Sequence, residues 1–253
     1  MPSYAILGAT GNIGRSILEV LLQSPDNHIN AYCRFKQKLY KLMPVVKHNK
    51  QVDVFEGELS DINLLARCLI GTTAAFQAVA VDGNQPGCTI AQDTSRRVTT
   101  ALEHLKANGH RLPKLVVTSS SSTDHSLLSN VPSFFRNMLY RAFSHTYDDL
   151  LAAEKFIRSK DDLISATFVK PGALTSQPQV GHELSLEVAK SPLSYLDLAA
   201  GMIELADDSS ERYDMKGVAV NSAVKVPFPR ESPMKIFKGL LCHFFPWLYP
   251  YIG

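Results

Sequence analysis

The segment Gly8-Ala9-Thr10-Gly11-Asn12-Ile13-Gly14 limits what this chain can fold into more than any other. It separates a compact apolar run, Tyr4-Ala5-Ile6-Leu7, from an amphipathic stretch over 13–23 that sets Ile13, Ile17, Val20 and Leu21 along one face. Glycines three apart permit a tight turn, bring the backbone close to a phosphate and let the helix pack on the strand. The helix start then offers free N–H groups and the positive end of its dipole to a pyrophosphate. On this reading Gly8, Thr10, Gly11, Asn12, Ile13 and Gly14 bind a dinucleotide. A plain glycine turn is the competing reading, and the place between strand and helix decides against it.

The rest of the chain repeats the same alternation. Strands are expected at 30–33, 52–55, 74–79, 115–118 and 164–169, with a further one at 218–220. Helices are expected at about 61–69, 89–108 and 137–158. Another starts at Ser194, where Asp197 three residues on completes a capping box. Strand, helix, strand in this order gives an α/β, doubly wound parallel-sheet Rossmann fold. The pattern runs through nearly all 253 residues, so residues 1–253 read as a single domain. Residues 171–253, together with the loop 127–133, would supply a small substrate side with C-terminal helices. Ligands bind outside the carboxyl ends of such strands. Val79, Ser119, Pro171 and Gly172 stand there and join the candidate cofactor-binding set.

Which dinucleotide is decided at the end of the second strand. A carboxylate about 20 residues past the loop would bond the ribose 2′-hydroxyl of NAD. Here Arg34 stands twenty positions after Gly14, with Lys36 and Lys38 behind it. A guanidinium matches a 2′-phosphate through paired charge-assisted hydrogen bonds, so Arg34 and Lys38 favour NADP. A solvated basic turn is the other reading. The charge is otherwise balanced, 26 Lys+Arg against 24 Asp+Glu, which argues against nucleic acid as a partner. Cys33, Cys68, Cys88 and Cys242 are scattered, so neither a disulfide framework nor a metal site is expected. Met1-Pro2-Ser3 leads straight into the first strand without a secretory leader pattern, and a cytoplasmic location is expected.

The loop 8–14, then Arg34, then Glu56-Gly57-Glu58-Leu59-Ser60-Asp61, resemble the atypical short-chain dehydrogenase/reductases, especially their NmrA-like branch. Val169-Lys170-Pro171-Gly172 is similar to that family's R-P-G at strand six, and residues 194–199 resemble its later v-s-x-x-D-v-A. The likeness covers about residues 4–222. It implies that Glu58 and Leu59 line the adenine pocket, although members usually carry Asp at position 58. The fungal secondary-metabolism members are nearest in character.

The resemblance also implies a catalytic Ser, Tyr and Lys. Ser120, in the run after strand five, takes the serine place, and Tyr147 follows 27 residues later. The lysine belongs four positions after the tyrosine, and Leu151 stands there, so Tyr-x-x-x-Lys is broken. Lys155 lies eight on, and Tyr140 is followed at the fourth position by Ser144. An ordinary tyrosine has a pKa of about 10 and without the cation is a weak base at neutral pH. Asp149, beside Asp148, is a candidate for proton transfer or for steadying a cationic intermediate, against the reading of a solvated helix turn. Three functions follow: an NADPH-dependent reductase of a hydrophobic small molecule, a cyclase or isomerase using NADP as a wall, and a dinucleotide sensor.

The last stretch is the apolar oddity. Residues 235–251 hold the single Trp, and Ile236, Phe237, Leu240, Leu241, Phe244 and Phe245 recur at helical spacing. It is too short to span a bilayer, and Pro246 and Pro250 interrupt it. It reads as a helix docked on the core or a second subunit, as a wall of an apolar pocket, or as an interfacial membrane contact. Monomer and homodimer both stay open.

Overall fold

The fold is taken from a computed structural model, which describes residues 2–252. Strand β1 (Ser3–Leu7) buries Tyr4 through Leu7 completely, because both of its faces are covered by helices. Tyr4 and Ile6 point into one core layer, Ala5 and Leu7 into the other, as the two-residue strand period demands. The chain continues through α1 (Asn12–Leu21), β2 (His28–Cys33), α2 (Lys36–Leu42), β3 (Val52–Glu56), α3 (Ile62–Leu69), β4 (Ala74–Gln77), α4 (Ile90–Ala107) and β5 (Lys114–Thr118). Then come α5 (Ser133–Ala142), α6 (Ser144–Arg158), β6 (Ala166–Val169), β7 (Leu174–Thr175), β8 (His182–Ser185), β9 (Leu193–Ser194), α7 (Tyr195–Asp207) and β10 (Gly217–Ser222). Helices α8 (Ser232–Phe244) and α9 (Tyr249–Ile252) follow.

Eight strands form one sheet in the order β3-β2-β1-β4-β5-β6-β10-β8, and β7 pairs with β9 alone. Every pairing is parallel except that of β8 with β10. Strand order reverses between β1 and β4, so a crevice opens there at the carboxyl ends. Helices α1 and α7 cover one face through Ile17, Leu18, Leu198 and Met202. Helices α3, α4 and α6 cover the other through Leu65, Leu102 and Ile157. The doubly wound parallel sheet expected from the alternation is what forms.

Two departures from the sequence reading have clear causes. The single helix expected over 137–158 is two, α5 and α6, parted at Phe143, whose φ is −134° and ψ 23°. The buried Asn84 takes over there: its Oδ1 accepts from His145 N at 2.8 Å, while its Nδ2 donates to Gly239 O at 2.9 Å and Arg141 O at 3.3 Å. Helix α8 presses against the same break; a Cβ on Gly239 would stand 1.9 Å from the Ala142 carbonyl oxygen. Strand β8 is the second departure. It gains its place only by pairing with β10, well over thirty residues further along.

Candidate active site

At the reversal between β1 and β4 the glycine loop forms a cradle that side chains would fill. Gly8 has a φ of +94°, and a Cβ on it would lie 2.5 Å from the Ala78 carbonyl oxygen. A Cβ on Gly14 would lie 2.2 Å from the Gly8 carbonyl oxygen. Gly11 closes the turn by donating to Gly8 O at 3.0 Å and stands at the N-cap of α1. No side chain caps that helix start and no acid sits in its first turn. An anion therefore meets unsatisfied N–H groups and no competing carboxylate. These residues fit a pyrophosphate. Thr10 and Ile13 are half-buried in the turn, Asn12 is exposed, and Val79 flanks Gly8 from the end of β4.

Arg34 and Lys38 follow β2 and are exposed. Lys36 is taken by Glu56: its Nζ lies 3.3 Å from one carboxylate oxygen, and its backbone N–H donates to the other at 2.9 Å. This pairing holds Glu56 below the usual carboxylate range and leaves Arg34 and Lys38 as the cations facing solvent at that strand end. Glu58 is exposed and Leu59 half-buried on the next loop, which Tyr32 anchors by donating to Glu58 O at 2.8 Å. Burial, with Asp61 adding to it, pushes the Tyr32 hydroxyl up to about 12. Arg15, which sequence reasoning passed over, reaches Asn12 Oδ1 at 2.6 Å and sets a further cation beside the glycine cradle.

The serine run and Tyr147 meet across the end of β5. Ser120 starts a short turn over Ser121–Thr123, which sets the Ser120 and Ser122 side chains beside the Tyr147 hydroxyl. Burial raises the Tyr147 pKa, and the two serines pull it part of the way back. The Tyr147 ring packs on Tyr140 and Phe143, with centroids 5.6 and 5.7 Å away. Leu151, at the lysine position, is half-buried, and Lys155 is exposed about two turns further along α6. Asp149 is buried and its carboxylate accepts from Ala91 N at 2.9 Å and from Gln92 N and Nε2 at 3.1 Å each. That is a cap on the start of α4, a different task from the proton transfer expected of it.

Ser119 also points elsewhere. Its hydroxyl donates to Glu154, inside a buried network rather than towards open space. Lys170 joins this network fully buried, its Nζ 2.5 Å from Glu154 Oε1 and 2.8 Å from Thr123 Oγ1. Thr123 in turn donates to Ser120 O at 2.7 Å, so the charge pair braces the turn that carries Ser120. The sequence signal was present: a lysine beside Pro171 where the resemblance expects arginine. Pro171 accepts from Ser121 N at 2.9 Å, and a Cβ on Gly172 would stand 2.8 Å from the Ser191 side chain. These two residues fix the serine turn against the loop before β9. Of the expected capping box of α7, the serine half forms, with Asp197 N donating to Ser194 Oγ at 2.9 Å. The Asp197 carboxylate accepts from Ser194 Oγ and from the N–H groups of Val180 and Gly181.

Comparison with known proteins agrees with this geometry. The NAD(P)H-binding family matches residues 8–209. The chain is 49% identical over 255 residues to the oxidoreductase aflX of Aspergillus parasiticus, covering 100% of this chain and 96% of that one. It is 48% identical over 256 residues to the oxidoreductase ordB of Dothistroma septosporum, again covering 100% and 96%. In fold it resembles a short-chain dehydrogenase/reductase of Veillonella parvula, with a TM-score of 0.71 at 16% identity over 88% of this chain and 94% of that one. A structure of that kind of protein in complex with NADP gives 0.64 at 16% identity, over 88% and 95%. With its glycine cradle, its strand order and relatives matched along nearly their whole length, this chain belongs to the NAD(P)H-binding family.

Proposed function

We propose that the protein is an NADPH-dependent reductase of a hydrophobic small molecule, a secondary-metabolite intermediate carrying a reducible carbonyl or its equivalent. The observation that carries this is the meeting of Ser120 and Tyr147 after β5, at the same carboxyl end of the sheet as the pyrophosphate cradle. The cofactor, when bound, supplies the hydride. Ser120 donates a hydrogen bond to the substrate oxygen, and Tyr147 delivers the proton to that oxygen as the hydride arrives. A tyrosine whose pKa is raised keeps its proton at neutral pH, which suits reduction and disfavours the reverse oxidation. The aromatic walls Tyr140 and Phe143 beside Tyr147 support an apolar, ring-bearing substrate. Arg34 and Lys38, free of the Lys36–Glu56 pair, support NADP over NAD.

Mixing the protein with NADPH and candidate aromatic carbonyl compounds tests this, with absorbance of the reduced nicotinamide and product mass followed together. Equal loss of NADPH and gain of a product two hydrogens heavier is the expected result. Product formed without cofactor oxidation would instead assign a non-redox cyclase or isomerase, which the missing lysine at Leu151 favours. Tight NADPH binding with no product from any candidate would assign a dinucleotide sensor.

A further inference from the structure

Helices α5 and α8 pack side by side through Ala142 and Gly239, and together with the turn and α9 that follow α8 they expose aromatic side chains. Phe134 is 71% exposed, Trp247 68% and Tyr251 80%, and Phe135, Phe237 and Phe244 are about half exposed or more. Large apolar groups gathered on a surface in this way mark an interaction site. The charge around them is one-sided. Segments 125–147 and 223–252 hold six Lys or Arg, namely Arg136, Arg141, Lys225, Arg230, Lys235 and Lys238, against the single acid Glu231. The whole chain carries 26 cations and 24 carboxylates, so everything outside these segments is net negative.

From this surface we propose that the α5–α8 face docks on an anionic lipid leaflet. Trp, Tyr and Phe at the edge of a basic surface have the composition of a membrane interface, where aromatic rings sit at headgroup level and lysines meet lipid phosphates. Among the described residues no helix is long and apolar enough to cross a bilayer, so the contact is peripheral. A second copy of the chain fits worse, because face-to-face pairing would set the basic side chains of one copy against those of the other. Asp82, 3.4 Å from Lys235, and Asp148, which accepts from Tyr140 of α5, offset part of this charge and leave Arg141, Lys225, Arg230 and Lys238 as the exposed cations. Helix α5 borders the serine turn, so the leaflet would lie beside the active site, in which an apolar substrate would be dissolved. Only that last link rests on the reductase reading.

Trp247 is the only tryptophan and reports the contact directly. The full chain would be titrated with vesicles of phosphatidylcholine containing one-third phosphatidylserine, and with phosphatidylcholine alone. Emission, co-sedimentation and light scattering would be followed. The expected result is a blue shift and co-sedimentation with the anionic vesicles only, weakened by added salt. Lys225→Ala and Lys238→Ala should each lower partitioning about fivefold, and Phe237→Ser together with Phe244→Ser should remove it, with NADPH turnover in vesicle-free buffer unchanged. No binding to anionic vesicles overturns the proposal. So does a stable dimer in which Trp247 is already shielded without lipid. Neither outcome touches the reductase reading, which is scored by cofactor oxidation alone.

Discussion

Arg34 and Tyr147 each concentrate one property of the site in a single side chain. Arg34 is exposed at the end of β2 beside Lys38, while Lys36 pairs with Glu56. Hydrogen bonds between charged groups contribute about 1.5–3 kcal/mol each. Arg34→Ala should therefore raise the KM for NADPH by about tenfold or more and leave that for NADH within about twofold. Equal losses for the two cofactors would remove the 2′-phosphate role. Tyr147 calls for a different measurement. Burial keeps its proton on well above neutrality, so the reductive kcat should stay flat from pH 6 to 9 and fall only as the solution nears the tyrosine range. Tyr147→Phe should lower kcat by about a hundredfold or more while KM for NADPH holds. A bell centred near neutral pH that survives Tyr147→Phe would show that another group moves the proton.

At the scale of elements, β1, the glycine loop and α1 were legible because their signals are local: an apolar run, three spaced glycines and a helical stripe occupy twenty residues. The serine cap of α7 at Ser194 was legible for the same reason. The break between α5 and α6 was not, since the apolar period runs through Phe143 and the cause is Asn84, nearly sixty residues away. The buried pair Glu154–Lys170 was hidden likewise: nothing near position 154 in the sequence says that its partner comes from the end of β6. The pair joins α6 to β6 and, through Ser119 and Thr123, to the turn after β5. Breaking it leaves a charge without its partner in the interior, at about 3–5 kcal/mol. Glu154→Gln should therefore shift the urea midpoint down strongly, whereas Glu154→Leu with Lys170→Met should recover most of the loss. Additive penalties in the double variant would mean that the two charges do not act as a pair. The same variants read out positioning: Glu154→Gln should lower kcat more than it changes KM, because Thr123 then loses its brace under Ser120.

For the molecule as a whole, the sheet is sewn together by buried hydroxyls and thiols that must stay protonated. Tyr4 donates to Asp207 Oδ1 at 2.6 Å and ties β1 to the end of α7; burial, strengthened by that carboxylate, raises its pKa. Tyr32 ties β2 to the loop after β3 and is pushed up to about 12. Cys33, at the end of β2, is pushed up by burial to about 11. Each group has a folded pKa above its unfolded value. Its contribution is therefore complete below the unfolded pKa, near 9 for the thiol and 10 for the tyrosines. It is lost as pH rises through the folded value, because the unfolded chain sheds its protons first. The cost is about 1.4 kcal/mol per pH unit for each group in that window. Helix α7 packs on α1, and β10 continues the sheet beyond β6, so the loosening should spread through the whole molecule as one transition. Urea midpoints should be level from pH 7 to about 9 and then fall increasingly steeply to pH 12, with fluorescence and far-ultraviolet signals coinciding. Tyr32→Phe gives up the bond to Glu58 O and should be less stable at pH 7, yet show a shallower alkaline decline than the parent. If its decline matched the parent's, burial of Tyr32 would have no part in the alkaline limit.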